Sequence, residues 1–231
     1  MVGPWQVPVA DCGVTITSLT QGIRTGEAMA MGEKPTLALI SPASSVRMAV
    51  VESLMNIAAA DIDGGLKQVK LSANWMAATN SGNEAANLYE GVEAVSNLCI
   101  DLGISIPVGK DSMSMKMAWK DQSSQEPKEV TAPLSLVVSA FAPVADIRKT
   151  WTPSLRRIED VGETILMLVD LSLGRKALGG SALAQVFNQV GDVAPVVHDV
   201  QILIDFFDAM EQLRDAGIVL AYHDRSDGGE L

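Results

Sequence analysis

The chain has 231 residues, 48% hydrophobic and 19% charged, which is enough apolar material for one large core or two modest ones. A net charge of −11 and a pI near 4.6 argue against a nucleic-acid backbone or an anionic membrane as the main partner. The longest apolar runs, at 134–145 and 165–169, are too short or too interrupted to span a bilayer.

No basic stretch followed by an apolar one opens the sequence, so the expected setting is the cytoplasm. Cys12 and Cys99 form no Cys-x-x-Cys pair, and His198 and His223 are the only imidazoles, so neither a disulfide framework nor a zinc site is expected.

In chain order, "GPWQVPVADCGVTI" (3–16) comes first. Pro4 and Pro8 hold the backbone extended, and Asp11 enters a strand-like apolar run where a lone charge is costly. A metal or a nearby Arg would each satisfy it. A helix is predicted after Ser41, a good N-cap residue with Pro42 at the first helical position. Val46, Val50, Leu54 and Ile57 recur at helical spacing and should face the core. Glu52 and Asn56 are one turn apart on the flank of that stripe. They read either as a half-shell of hard oxygen ligands for Mg²⁺ or as a solvated helix face.

A strand and a second helix should follow, and then "GISIPVGKDS" (103–112) raises the question of a phosphate loop. A Walker loop needs four residues between its glycines and a hydroxyl after the lysine, whereas here five intervene and Asp111 stands in the hydroxyl's place. The Walker reading fails, and Lys110 and Asp111 remain as a Gly-Lys-Asp-Ser cluster that could serve a nucleotide in another way. Met113, Met115 and Met117 alternate as one face of a strand would, and that stripe reads as core.

The polar run "KDQSSQEPK" (120–128) reads as a loop or inter-domain linker. Strands are predicted over 134–144 and 163–172, a helix over 182–190 opened by Gly179-Gly180-Ser181, a long helix over 202–216 and a last strand over 217–224. Gly-Gly-Ser at a helix start is also a possible anion site. Strands alternating with helices indicate an α/β fold. "HDRSDGG" (223–229) could place Asp224 and Asp227 on a metal and Ser226 on a phosphate, or it could be a simple acidic turn. His223 reads as a packing or hydrogen-bonding residue, because no nucleophile lies near it in sequence.

Taken in order, "PVADC", "GEAMAMGEKP", "ESLMNIAAA", "KLSANWM", "IPVGKDSMSMK", "LGGSALAQ" and "HDRSDGG" resemble the second half of the synthetase region of large-type phosphoribosylformylglycinamidine synthases. The resemblance covers nearly the whole chain. It implies an α/β (α+β) fold similar to aminoimidazole ribonucleotide synthetase. An N-terminal sheet-plus-helices subdomain at 1–122 would form half of a β-barrel, and a C-terminal α/β subdomain at 130–231 would be cut short at "DGGEL".

The activity implied is that of a ligase of purine biosynthesis, the ATP-dependent amidation of formylglycinamide ribonucleotide with glutamine-derived ammonia. In that family one of two pseudo-symmetric sites is catalytic and the other holds an auxiliary ADP with Mg²⁺. The match assigns Asp11, Glu52, Asn56 and Asp224 to magnesium and Ala10 and Ser226 to the nucleotide, with Lys110 and Asp111 near phosphate. The expected partners are a nucleotide, the first synthetase repeat and the glutaminase of the parent chain, and a second copy of this chain when isolated. No catalytic residue is assigned. The alternative is an inert structural or nucleotide-binding module.

Overall fold

The computed structural model describes residues 10–225. Its strands are β1 (Gly13–Ile16), β2 (Gly26–Glu33), β3 (Lys70–Met76), β4 (Ser105–Ser112), β5 (Lys116–Lys120), β6 (Pro127–Thr131) and β7 (Ser135–Val144). Its helices are α1 (Pro42–Ile57), α2 (Glu84–Leu102), α3 (Ile158–Val161), α4 (Ala182–Val186) and α5 (Val200–Asp215). No helix among the described residues is long and apolar enough to cross a membrane.

The main sheet has the order β1-β2-β7-β3-β4. Its pairs are antiparallel except β3 with β4, which are parallel and joined through α2, the crossover a parallel pair requires. Strand alternation decides which face is covered. Along β7, Leu136, Val138, Ala140, Ala142 and Val144 are buried, and α1 lies against both β7 and β2. On the opposite face Met29, Met31 and Phe141 stay exposed. Among the described residues the sheet is open, with β1 and β4 at its edges.

Small residues on the inner face of β2 let α1 come close. A Cβ on Gly32 would fall 2.2 Å from Ala49 O and 2.5 Å from Ser53 N, so helix backbone packs directly on strand backbone there. The start of α1 agrees with its sequence: Ser41 Oγ accepts from Ser44 N–H at 3.2 Å and Pro42 opens the helix. The core stripe Val46, Val50, Leu54 and Ile57 is fully buried.

Several predicted elements differ. Of the two readings of the 120–128 run, loop and inter-domain linker, the loop holds: it forms the tip of the β5–β6 hairpin, where Asp121 Oδ1 accepts from Ser123 N–H and Ser124 N–H. β7, beyond the boundary expected at 122–130, is hydrogen-bonded to both β2 and β3. The run at 163–172 forms no strand, and Ile165, Leu166, Met167, Leu168 and Val169 are all more than half exposed. The run at 217–224 forms no ladder either; its backbone is tied at Tyr222 N–H, which donates to Thr152 O at 3.1 Å. In both cases β-forming residues lack a neighbouring strand, and propensity without a partner does not make a sheet.

α4 stops at Val186, and Asn188 then takes a positive φ of 54°. Its leading Gly180 serves packing, since a Cβ there would meet Leu37 Cδ2 at 2.5 Å, and a helix of five residues gives no anion site. The methionine stripe also divides: Met113 packs on the core, whereas Met117 on β5 is 65% exposed.

Candidate functional site

Three separate segments converge at the end of β2. Asp11 lies just before β1, with Ala10 half-buried beside it. Glu52 and Asn56 lie on the α1 flank that faces β2, as Gly32 allows. Asn56 Nδ2 donates to Met31 O at 2.9 Å and Glu33 N–H donates to Glu52 Oε2 at 2.6 Å. The third segment, 217–225, arrives after α5.

Arg214 fixes that third segment. Buried at the end of α5, it donates from Nη2 to Ala58 O at 2.7 Å and from Nη1 to Lys149 O at 2.6 Å, and its guanidinium sits 3.5 Å over the Trp151 ring. It thereby satisfies the Ala58 carbonyl left open at the end of α1 and ties that end to Lys149 and Trp151. Burial lowers its pKa to about 10, against the opposing pull of Asp61. Tyr222 stacks on Trp151 with ring centroids 6.0 Å apart, and its hydroxyl donates to Met55 O at 2.7 Å. The next two residues are therefore delivered to Asp11. His223 Nδ1 lies 2.8 Å from Asp11 Oδ1, and Asp224 N–H donates to the same oxygen at 3.1 Å.

The side chain of Asp11 is 3% exposed, and its second oxygen, Oδ2, is buried with no hydrogen-bond partner in the structure. A buried carboxylate oxygen without a donor costs free energy unless a cation or further donor meets it. Asp224 carries the same tension: burial first, then the charges of Glu52 and Asp11, raise its pKa to about 6, against the pull of Lys34 and His223. These shared fields place Asp11, Glu52 and Asp224 in one electrostatic neighbourhood. Among the described residues, no three His, Cys, Asp or Glu side chains are drawn together tightly enough to form a finished metal cage. Beside the cluster, Cys12 is pushed up to about 12 by burial and stays a thiol.

Of the residues singled out from sequence, Asp11, Glu52, Asn56 and Asp224 thus come from distant positions to one end of the α1–β2 contact. Lys110 and Asp111 do not join them. They lie exposed on β4, at the edge opposite β1, where Lys110 Nζ donates to Ser112 Oγ at 2.8 Å. Ser226 and Asp227 lie outside the described residues. Sequence reasoning gave no role to Lys34, whose Nζ is 2.6 Å from Glu52 Oε1, nor to Tyr222 and Arg214. Lys34 alone carried a signal, as the cation of "GEKP" at the end of an alternating strand.

Comparison with known proteins addresses the chain as a whole. Residues 1–143 match the model of the FGAR-AT PurM_N-like domain. The chain is 54% identical over 230 residues to a protein named phosphoribosylformylglycinamidine synthase from Schizosaccharomyces pombe, covering 99% of this chain and 17% of that protein. It is 57% identical over 236 residues to the protein of that name from Saccharomyces cerevisiae, covering all of this chain and 17% of that protein. A solved structure described as "T. maritima PurL complexed with ADP" overlaps at a TM-score of 0.44 and 19% identity, over 61% of this chain and 21% of the other, a likeness too low to carry an argument. The chain spans 17% of the length of the curated relatives it matches. The family match covers more than half of the sequence, and the chain belongs to the FGAR-AT PurM_N-like domain family.

Proposed function

We propose that the chain is a portion of a phosphoribosylformylglycinamidine synthase, a cytoplasmic ligase that aminates formylglycinamide ribonucleotide at the expense of ATP. Within that enzyme its own role is to hold an auxiliary ADP with Mg²⁺. The identity to proteins of that name over essentially the whole chain supports the parent activity. The observation that carries the site is Asp11 Oδ2, buried and without a donor, at the meeting point of three acidic segments.

The donor set fits the metal. Mg²⁺ takes hard oxygen ligands and keeps several waters, so a partly open group of carboxylates with one amide oxygen suits it better than a closed cage. Asp11, Glu52 and Asp224 would supply carboxylate oxygens. Asn56, whose Nδ2 is committed to Met31 O, would supply Oδ1. The bound cation would neutralise charge on the phosphates. Ala10 would lie against the nucleotide through its backbone, with Ser226 as a further contact. The chain's own work is to orient these oxygens: Tyr222 and Arg214 hold the Asp224 segment on α1, and the tight α1–β2 contact sets Glu52 and Asn56.

The uncovered sheet face bearing Met29, Met31 and Phe141 fits the place where a similar repeat would complete a barrel, and a second copy would take that place in isolation. Light scattering at high concentration checks this: a dimer is expected, and a monodisperse monomer contradicts it.

The site itself is tested by calorimetric titration of ADP with and without Mg²⁺, on the wild type and on Asp11→Asn. Magnesium-dependent binding that is lost in the variant is expected. Binding that ignores both Mg²⁺ and Asp11, or no binding at all, refutes the site and leaves the chain a structural module.

A further inference from the structure

Glu52 is already engaged on both oxygens. Oε1 lies 2.6 Å from Lys34 Nζ and Oε2 accepts from Glu33 N–H at 2.6 Å. The ion pair is shielded, with side-chain exposures of 21% for Lys34 and 14% for Glu52. Lys34 is held there through its backbone. It follows the last residue of β2, and its carbonyl accepts from Ser45 Oγ at 2.6 Å, so strand end and helix α1 together fix its Cα.

From that position the ammonium acts on more than Glu52. Its charge is also felt at Asp224, which approaches from the C-terminal segment on the side shared with Asp11. Carboxylates crowded in a shielded space repel one another and need a compensating cation. His223, 2.8 Å from Asp11 Oδ1, is a second group beside these carboxylates. Asp11 Oδ2 is still left without a hydrogen-bond partner. A lysine suits a temporary role here, being a compact point charge on a flexible stem whose head can move while its Cα stays fixed.

We propose that Lys34 is the built-in counter-ion of this cluster: it holds Glu52 while no divalent cation is bound, gives up Glu52 Oε1 when one arrives, and then meets an anionic phosphate on that cation. This rests on the Mg²⁺–ADP reading above and adds a residue and an exchange step to it. The exchange is of ionic contacts alone, with no bond made or broken. Its consequence is that metal and Lys34 compete for Glu52, whereas nucleotide and Lys34 attract.

The test is a titration of Mn²⁺, as a spin-active substitute for Mg²⁺, into nucleotide-free protein followed by electron paramagnetic resonance, on the wild type, Lys34→Met and Lys34→Arg. The same proteins are then titrated with ADP at saturating Mn²⁺, and their melting temperatures are recorded with and without the metal. Lys34→Met is expected to bind Mn²⁺ about tenfold more tightly, the size of an ordinary coupling between sites, and to bind ADP more weakly. It should melt lower than wild type without metal and recover when Mn²⁺ is added, while Lys34→Arg stays near wild type. Wild-type binding of Mn²⁺ with equal or weaker binding by a folded Lys34→Met overturns the counter-ion role and leaves the metal site standing. No Mn²⁺ binding by any of the three overturns both. If Lys34→Met proves too unstable to titrate, Lys34→Gln takes its place with the same outcomes.

Discussion

The first two-thirds of the chain and the last third are similarly rich in β-forming residues, yet they fold to different degrees of closure. In the N-terminal region β2, β7 and β3 pair over their whole lengths, and α1 and α2 bury one face of the sheet. In the C-terminal region a pair of equally strand-like runs, 163–172 and 217–224, have no ladder, and Ile165 is left 87% exposed. What orders this region is α5, and its attachment to the rest is polar as well as apolar: Arg214 reaches the carbonyls at the end of α1 and stacks on Trp151. The candidate site lies across this division, with Asp11, Glu52 and Asn56 on the closed region and Asp224 on the tethered one. The closed region sets the ligand oxygens, and the tether decides whether the last of them is present.

The largest expected effect comes from breaking the closed region. Gly32→Val places side-chain atoms where α1 backbone already lies 2.2 Å from a Cβ position, and neither backbone can yield cheaply. A loss of about 3 kcal/mol or more is expected, visible as a large drop in denaturation midpoint. A midpoint near wild type would show that helix and strand separate easily there.

Next is Arg214→Met, which removes the donors to Ala58 O and Lys149 O while keeping a long apolar stem. A loss of about 2–3 kcal/mol is expected, the cost of leaving buried carbonyls unpaired. Hydrogen exchange should rise over 200–224 and remain slow in β2 and β7. Equal loosening of both regions would mean that they are one cooperative unit.

Smaller is Asp224→Asn. A carboxyl whose native pKa is raised to about 6 binds more protons folded than unfolded between roughly pH 4 and 6. Its contribution to stability therefore falls as pH rises through that window. The metal-free variant should gain on the order of 1 kcal/mol over wild type at neutral pH, after discounting for partial solvent access, and should lose that advantage below about pH 4. A variant less stable than wild type at neutral pH would show that Asp224 is held by donors and not strained by its neighbours.

The smallest is Tyr222→Phe. It deletes the hydrogen bond to Met55 O and should cost about 1 kcal/mol, again with faster exchange confined to the tether.

Legibility from sequence follows the same division. The start of α1 was readable because capping is local: Ser41 and Pro42 act within one turn. The buried stripe of α1 and the apolar run of β7 were readable because their periodicity is set by burial on one or two faces. The runs at 163–172 and 217–224 misled because a strand is a property of a pair, and a single sequence shows only one member. The polar run at 120–128 could be read as a loop or as a linker because a hairpin tip and a linker share composition; what distinguishes them is the pairing of Trp119 with Lys128 across it.

In the site, Glu52 and Asn56 could be placed side by side from helical spacing alone. Their meeting with Asp11 and Asp224 could not, since those carboxylates are 213 positions apart in the chain and only the family resemblance linked them. Lys34, Arg214 and Tyr222 were missed because an isolated cation or tyrosine in a sequence does not reveal which carboxylate or carbonyl it will meet.

The most direct test of the central claim is anomalous diffraction from crystals grown with ADP and Mn²⁺. The account predicts an anomalous peak within coordination distance of Asp11 Oδ2, with Glu52 and Asp224 turned towards it. A peak elsewhere, or ADP bound at the β4 edge beside Lys110 and Asp111 with no metal at Asp11, would contradict it.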